Sequence, residues 1–174
     1  MKFLALMTLL IGSFFMSDQA SAQNAGDTLI MELEDGTVTI ELLPELAPNH
    51  VERIKTLTAE GFYDGVVFHR VIDGFMAQTG DPTGTGMGGS ELPDLSAEFT
   101  NTPFERGTLG MARSSSPNSA NSQFFIMFDD GPWLNGQYTV FGRVVEGMEH
   151  IDALNRGEPP VSPDKIVSMK LASE

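Results

Sequence analysis

The stretch FHRVIDGFMAQTGD, residues 68–81, places one arginine among aromatic and aliphatic residues. A guanidinium in an apolar run is costly to bury unless it has a hydrogen-bonding partner or a function. The Asp-Gly pair in this stretch predicts a hairpin, for which two registers are possible. A two-residue loop would place Arg70 opposite Ala77, whereas a three-residue loop over residues 73–75 places it opposite Gln78, whose amide oxygen is an acceptor. We favour the second register; an arginine that extends to the protein surface is the alternative.

Three other patterns that could support chemistry are weaker. Residues 84–89, GTGMGG, match the nucleotide-binding pattern G-x-G-x-x-G, but a segment with Pro93 and no helical periodicity follows them, so a flexible loop is favoured. The three histidines are scattered and have no ligand spacing for a metal. The serines 114–116 lack the G-x-S-x-G turn of a hydrolase. We therefore expect neither a metal nor a cofactor.

The composition narrows the possible partners. The chain of 174 residues has a net charge of −14 and 0 cysteines. Because no cluster of lysine or arginine offsets this charge, binding to nucleic acid or to anionic lipid is disfavoured. Without cysteine there is neither a disulfide nor a lipidated cysteine, so stability must come from packing.

Residues 1–22 are typical of a signal peptide. Lys2 precedes an apolar run over residues 3–16, and Ala-Ser-Ala follows at residues 20–22 as a cleavage pattern. The apolar run is shorter than the roughly 20 residues of a membrane span; a buried N-terminal helix is the alternative. We predict one mature domain, residues 23–174, that does not insert into the membrane after cleavage. The predicted location is the periplasm, and secretion is the second choice.

Short strands dominate the rest of the chain. Alternating apolar residues over 28–43 predict a hairpin that turns at Asp35 and Gly36. Pro48 and a stripe of apolar residues predict a helix that Gly61 ends, and residues 146–157 predict a second short helix. Residues 80–106 are expected to form a long loop. Further strands are predicted at residues 66–72, 75–78, 107–113, 123–128, 138–145 and 165–172. Many strands with two helices favour an all-β, closed barrel.

The pattern FHR-VI-GFM-Q-GD, followed by SQFFI and by WL-G within residues 107–154, resembles the cyclophilins. These are peptidyl-prolyl cis-trans isomerases, and the resemblance extends over nearly the whole predicted mature chain. It implies an eight-stranded antiparallel barrel capped by two α-helices, with the site on an outer face. It also implies that the protein catalyses rotation about Xaa-Pro bonds. The expected substrates are proline-containing, unfolded exported proteins, whose folding the enzyme would assist. We expect the protein to be a monomer.

The resemblance also assigns roles to individual residues. The catalytic arginine and its glutamine partner correspond to Arg70 and Gln78. Other positions are predicted to contact substrate. The proline pocket is formed by Phe75, Met76, Phe125 and Leu134. Ala112 and Gln123 contact the substrate backbone and the residue before proline, and Phe68 and Trp133 form further walls. Two further predicted substrate contacts depart from many members: Arg113 stands where they have an asparagine, and Tyr138 stands where they have a histidine. Because Trp133 is present, the resemblance also implies inhibition by cyclosporin.

Two other functions fit parts of the pattern. A non-catalytic proline-binding module, or a holdase chaperone of the cell envelope, would keep the pocket but would not need Arg70. A carrier of a small ligand in the barrel lumen is disfavoured, because bulky side chains would fill an eight-stranded interior.

Overall fold

The computed structural model describes residues 26–172, so the predicted signal peptide lies outside the described residues. The first hairpin pairs β1 (Thr28–Leu33) with β2 (Gly36–Leu42), and in both strands every second residue is buried, as the alternation predicts. The turn differs from the prediction. Leu33 pairs with Gly36, so residues 34 and 35 form the two-residue loop and Gly36 begins β2. A Cβ atom at Gly36 would overlap the ring of His150, which explains why a glycine is required there.

The predicted first helix, α1, extends over Pro48–Ala59 and buries its apolar stripe against the sheet. Its N-cap residue makes no side-chain cap. Instead Glu98, from the long loop, accepts the backbone N–H groups of Asn49 and His50 at 3.2 and 3.1 Å. A carboxylate at this end also interacts favourably with the helix dipole. The loop is thereby attached to the helix.

The second helix, α2, is shorter than predicted and extends only over Met148–Asp152. After it, Gly157 exchanges two backbone hydrogen bonds of 2.8 Å with Val71, so the chain there runs beside a strand and cannot remain helical. A short 3-10 helix, Pro132–Leu134, was not predicted. The remaining strands are β3 (Arg70–Ile72), β4 (Met76–Thr79), β5 (Thr108–Met111), β6 (Phe124–Met127), β7 (Val140–Glu146) and β8 (Ser168–Leu171).

The eight strands within residues 26–172 belong to one antiparallel sheet in the order β3-β4-β6-β5-β7-β2-β1-β8. Val67, before β3, bridges to Lys165, before β8, and the backbone N–H of Ile166 donates to the carbonyl of Val66 at 2.9 Å. These bonds bring the two ends of the curled sheet together. The predicted all-β architecture of eight antiparallel strands with two helices is confirmed.

The sheet has apolar residues on both faces. In β6, Phe124 and Ile126 belong to the large core enclosed by the sheet, whereas Phe125 and Met127 belong to a second cluster on the outer face. Side chains on a strand alternate between faces, so a continuous apolar run such as β6 serves both clusters. The enclosed core is filled by large buried side chains such as Tyr63, which leaves the outer face as the place for a site.

Candidate active site

The hairpin of β3 and β4 has the predicted register. Arg70 lies opposite Gln78, and residues 73–75 form the three-residue loop with Gly74 at a φ of 65°. Arg70 Nη1 donates to Gln78 Oε1 at 3.4 Å, and Arg70 Nε donates to a carboxylate oxygen of Glu158 at 2.9 Å. The Arg70 side chain is 40% exposed. The guanidinium is therefore both held by partners and open to a ligand.

Glu158 is a site residue that the sequence did not reveal. It is 88 positions from Arg70 and reaches it because Gly157 pairs with Val71, the residue next to Arg70 on β3. A single acidic residue beside two prolines is no signal for such a contact. A cavity of about 290 Å³ lies on this side of Arg70, lined in part by His69 and Glu158.

A chain of hydrogen bonds fixes the partner glutamine. Gln78 Nε2 donates to Gln123 Oε1 at 2.8 Å, and Gln123 Nε2 donates to the backbone carbonyls of Gly86 and Gly88 at 3.1 and 2.8 Å. With both amide groups engaged, the carbonyl oxygen of Gln78 is directed towards Arg70. The orientation of the guanidinium thus depends on the loop that contains the two glycines.

Asp81 holds that loop. Its buried carboxylate accepts the hydroxyl and backbone N–H of Thr83, both at 2.8 Å, and the backbone N–H of Gly86 at 2.6 Å. Burial by itself would raise the pKa of Asp81, but these hydrogen bonds, with one from the Gly88 amide, outweigh it and hold the pKa at about 2. The carboxylate is therefore charged, and the loop is ordered around it.

Beside Arg70 the outer face forms a small pocket of about 110 Å³. The Phe104 and Phe125 rings stack at 5.7 Å beneath it, and Phe125 meets Tyr138 edge-on at 5.8 Å. A Cβ atom at Gly110 of β5 would overlap both phenylalanine rings, so a glycine is needed for this packing. The lining residues are Arg70, Phe75, Met76, Gln78, Ala112, Arg113, Phe125, Leu134 and Tyr138.

Nine of the twelve residues predicted for the site thus line one pocket, and three lie elsewhere. Gln123 lines the adjoining groove and reaches the pocket through Gln78. Trp133 is 59% exposed and packs against Phe75, with 5.8 Å between ring centroids, at the pocket rim. Phe68 is not a wall of the pocket: its side chain is fully buried in the core enclosed by the sheet. It precedes β3, where no strand alternation determines the direction of a side chain.

The two departures from the family pattern contact each other. The guanidinium carbon of Arg113 lies 4.4 Å from the centroid of the Tyr138 ring, a cation–π distance. Arg113 Nη2 and Nη1 also donate to the backbone carbonyls of Gln137 and Ser114, each at 2.9 Å. Arg113 lines both the pocket and the adjoining groove, which has a volume of about 430 Å³. Arg113 thus borders both spaces, whereas Tyr138 lines only the pocket.

The chemistry available in the pocket is limited. Its titratable lining groups are Arg70, Arg113 and Tyr138, so the lining offers no carboxylate, histidine or cysteine for acid–base or nucleophilic catalysis. Among residues 26–172 no group of three histidines or acids could hold a metal ion, and no helix is long and apolar enough to cross a membrane. Fold and site together define a protein that can hold a small apolar ring against an oriented guanidinium.

Comparisons with known proteins identify that class. The sequence model of the family described as cyclophilin type peptidyl-prolyl cis-trans isomerase/CLD matches residues 28–171. A relative from Brucella suis biovar 1, named probable peptidyl-prolyl cis-trans isomerase, is 52% identical over 186 residues, which cover 98% of this chain and 93% of the relative. The peptidyl-prolyl cis-trans isomerase-like 1 protein of Aspergillus fumigatus is 41% identical over 155 residues, 84% of this chain and 96% of that protein.

Solved structures agree. A cyclophilin from Hirschia baltica superposes with a TM-score of 0.80 at 31% identity and covers 94% of this chain and 82% of its own. A cyclophilin-type isomerase from Cryptosporidium parvum, solved in the presence of the dipeptide Ala-Pro, gives a TM-score of 0.77 at 31% identity, over 83% of this chain and 98% of its own. The chain belongs to the cyclophilin family and is a peptidyl-prolyl cis-trans isomerase.

Proposed function

We propose that the outer-face pocket binds the proline ring of a polypeptide and that Arg70 catalyses rotation about the peptide bond before that proline. The observation that carries this proposal is the position of Arg70: its guanidinium lines an apolar pocket and is held from one side by Glu158 and from the other by Gln78. A guanidinium held in this way can donate to a substrate atom without first being reoriented.

The energetics of rotation explain why a cation in an apolar pocket is sufficient. Twisting a peptide bond costs about 18–20 kcal/mol, because the nitrogen lone pair is delocalised into the carbonyl group. In the twisted state the prolyl nitrogen becomes pyramidal and regains that lone pair, which can then accept a hydrogen bond. A donor that binds the twisted state better than either planar form accelerates the reaction. The arginine guanidinium is always charged and provides such donors.

The pocket walls supply the other requirement, which is a fixed ring. Phe75, Met76, Phe125 and Leu134 surround the space next to Arg70 with apolar side chains. If they hold the proline ring, the preceding carbonyl group can swing while the ring remains in place, so binding energy also provides orientation. The Ala-Pro dipeptide in the study of the Cryptosporidium parvum relative supports a proline-containing peptide as the ligand.

We further propose that the substrates are exported proteins and that the enzyme assists their folding in the periplasm as a monomer. The signal-peptide pattern of residues 1–22 supports export, and the net charge of −14 disfavours nucleic acid and anionic lipid as partners. N-terminal sequencing of the protein from fractionated cells tests this: Gln23 as the first residue of a periplasmic species is expected, and an intact Met1 in the cytosol would refute it. Cyclosporin is proposed as an inhibitor that occupies the same pocket.

The decisive test of the catalytic proposal is an isomerisation assay with purified residues 23–174 and a Pro-containing peptide. Acceleration that requires Arg70 is the expected result. If the protein binds the peptide without accelerating rotation, the catalytic proposal is refuted, and a non-catalytic proline-binding module or holdase is the function that remains.

A further inference from the structure

The arginines in the described part of the chain differ in how their charge is compensated. Arg70, Arg106, Arg143 and Arg156 each form an ion pair with a carboxylate. Arg53 and Arg113 have no such pair within residues 26–172, and their hydrogen bonds go only to backbone carbonyls. Arg53 is buried beneath the long loop, where it donates to the Pro93 carbonyl, whereas Arg113 lines the pocket and the groove. The positive charge of Arg113 is therefore the one that a ligand could meet.

The guanidinium of Arg113 is also held in place before any ligand arrives. It stacks on the Tyr138 ring, and three of its N–H groups donate to the carbonyls of Gln137 and Ser114. A guanidinium has five N–H donors, so two remain for a ligand. Because the planar group is already oriented, little conformational entropy is lost when it binds a carboxylate.

The position of Arg113 indicates which part of a substrate it meets. It lines the proline pocket and also the adjoining groove, and these two spaces share Gln78 and Ala112 as well. A chain whose proline fills the pocket and whose preceding residues enter the groove must pass Arg113 directly before the proline. Asp94 lines only the groove, where its carboxylate accepts Asn121 Nδ2 at 3.0 Å. Among the residues that line the pocket and the groove, Arg113 therefore places positive charge next to the proline, and the carboxylate of Asp94 belongs to the groove alone. Glu158 lies on the far side of Arg70, where it is paired with that guanidinium.

From this arrangement we infer that Arg113 is a specificity-determining residue that favours substrates with an aspartate or glutamate directly before the proline. The inference rests on the proposed role of the pocket as the proline site. The expected preference is modest, because an exposed or half-exposed ion pair changes affinity by only about two- to fivefold. It should apply to the position next to proline and should weaken for an acid placed farther along the groove.

The test uses acetylated and amidated peptides Ala-Xaa-Pro-Phe in which Xaa is Glu, Gln or Lys. Isomerisation is followed by NMR exchange, without a coupling protease. For the wild type we expect kcat/KM about two- to fivefold higher for Glu than for Gln and lower for Lys than for Gln, with both differences reduced in 0.5 M NaCl. In Arg113→Gln the Glu-to-Gln ratio should fall to about 1. Moving the glutamate to Glu-Ala-Pro-Phe should also remove most of the preference.

Arg143→Gln is the matched control. It changes the net charge by the same amount, but Arg143 is paired with Glu41 and lines neither the pocket nor the groove. It should keep the wild-type ratios. The inference is overturned if Arg113→Gln keeps the preference while remaining folded by thermal unfolding, if Arg143→Gln loses it equally, or if the wild type shows no preference. If the wild-type protein does not isomerise even the Gln peptide, the proposed function is refuted instead.

Discussion

Replacing Arg70 with alanine should abolish most of the catalysis while leaving the fold and the pocket walls in place. The substitution removes the donor that lines the pocket, together with its bonds to Glu158 and Gln78. Loss of a single transition-state donor costs about 10²–10³ in rate, or about 2.7–4 kcal/mol. The Arg70 side chain is 40% exposed, so water weakens its interactions, and we expect a loss near the lower end, about 10² in kcat/KM.

Stability should change much less than activity. The Arg70–Glu158 pair is open to solvent on both sides, at 40% and 54% exposure, and such a pair contributes about 0.2–1 kcal/mol. For a domain of this size that corresponds to a shift of a few degrees at most in the melting temperature. A large rate loss with a small change in stability is therefore the specific expectation for Arg70→Ala.

The assay is the cis-to-trans isomerisation of an Ala-Pro-Phe peptide, with peptide affinity measured separately by calorimetry. Arg143→Ala serves as the control, since Arg143 is also paired with a carboxylate but does not line the pocket. We expect its activity to stay within twofold of the wild type. If Arg70→Ala keeps near-wild-type kcat/KM, or if Arg143→Ala loses as much, the guanidinium does not act as proposed.

Three further outcomes are expected. Glu158→Gln should lower kcat about two- to tenfold with little change in KM, because the substitution weakens the charge-assisted hydrogen bond that orients Arg70 and leaves the pocket walls intact. An unchanged kcat in steady-state kinetics would show that Glu158 does not position Arg70. Urea unfolding should show stability decreasing as the pH falls from about 4 to about 2, because the pKa of Asp81 is about 2 in the folded protein against a usual 3.8, so the unfolded chain binds more protons in that window. In Asp81→Asn this part of the slope should disappear, and a slope identical to that of the wild type would contradict the assignment. Trp133→Phe should weaken cyclosporin binding roughly tenfold in a calorimetric titration, because it removes an indole N–H and some contact area at the pocket rim; equal affinities would refute a role for the indole.

Local signals in the sequence determined the elements that present the central pair. The Asp-Gly pair indicated a hairpin with two possible registers, and the need of Arg70 for an acceptor favoured the one that places it opposite Gln78, which is the register observed. The period-2 pattern of the first hairpin and the proline at the start of α1 were equally local. Such signals act over a few residues and do not depend on the rest of the fold. The roles of the pocket residues came from the family resemblance.

Contacts between distant segments were decided only by the tertiary structure. Glu158 reaches Arg70 because Gly157 pairs with β3. The helix α2 ends at Asp152, before the chain reaches this pairing. Phe68 belongs to the enclosed core, and because it lies outside the strands, alternation along the sequence could not show the direction of its side chain. Gly36 lies in β2 and not in the turn, and the ring of His150 packs where a Cβ atom at this position would be. Arg70 and Glu158, like Gly36 and His150, are far apart in sequence, so only the tertiary structure brings each pair into contact.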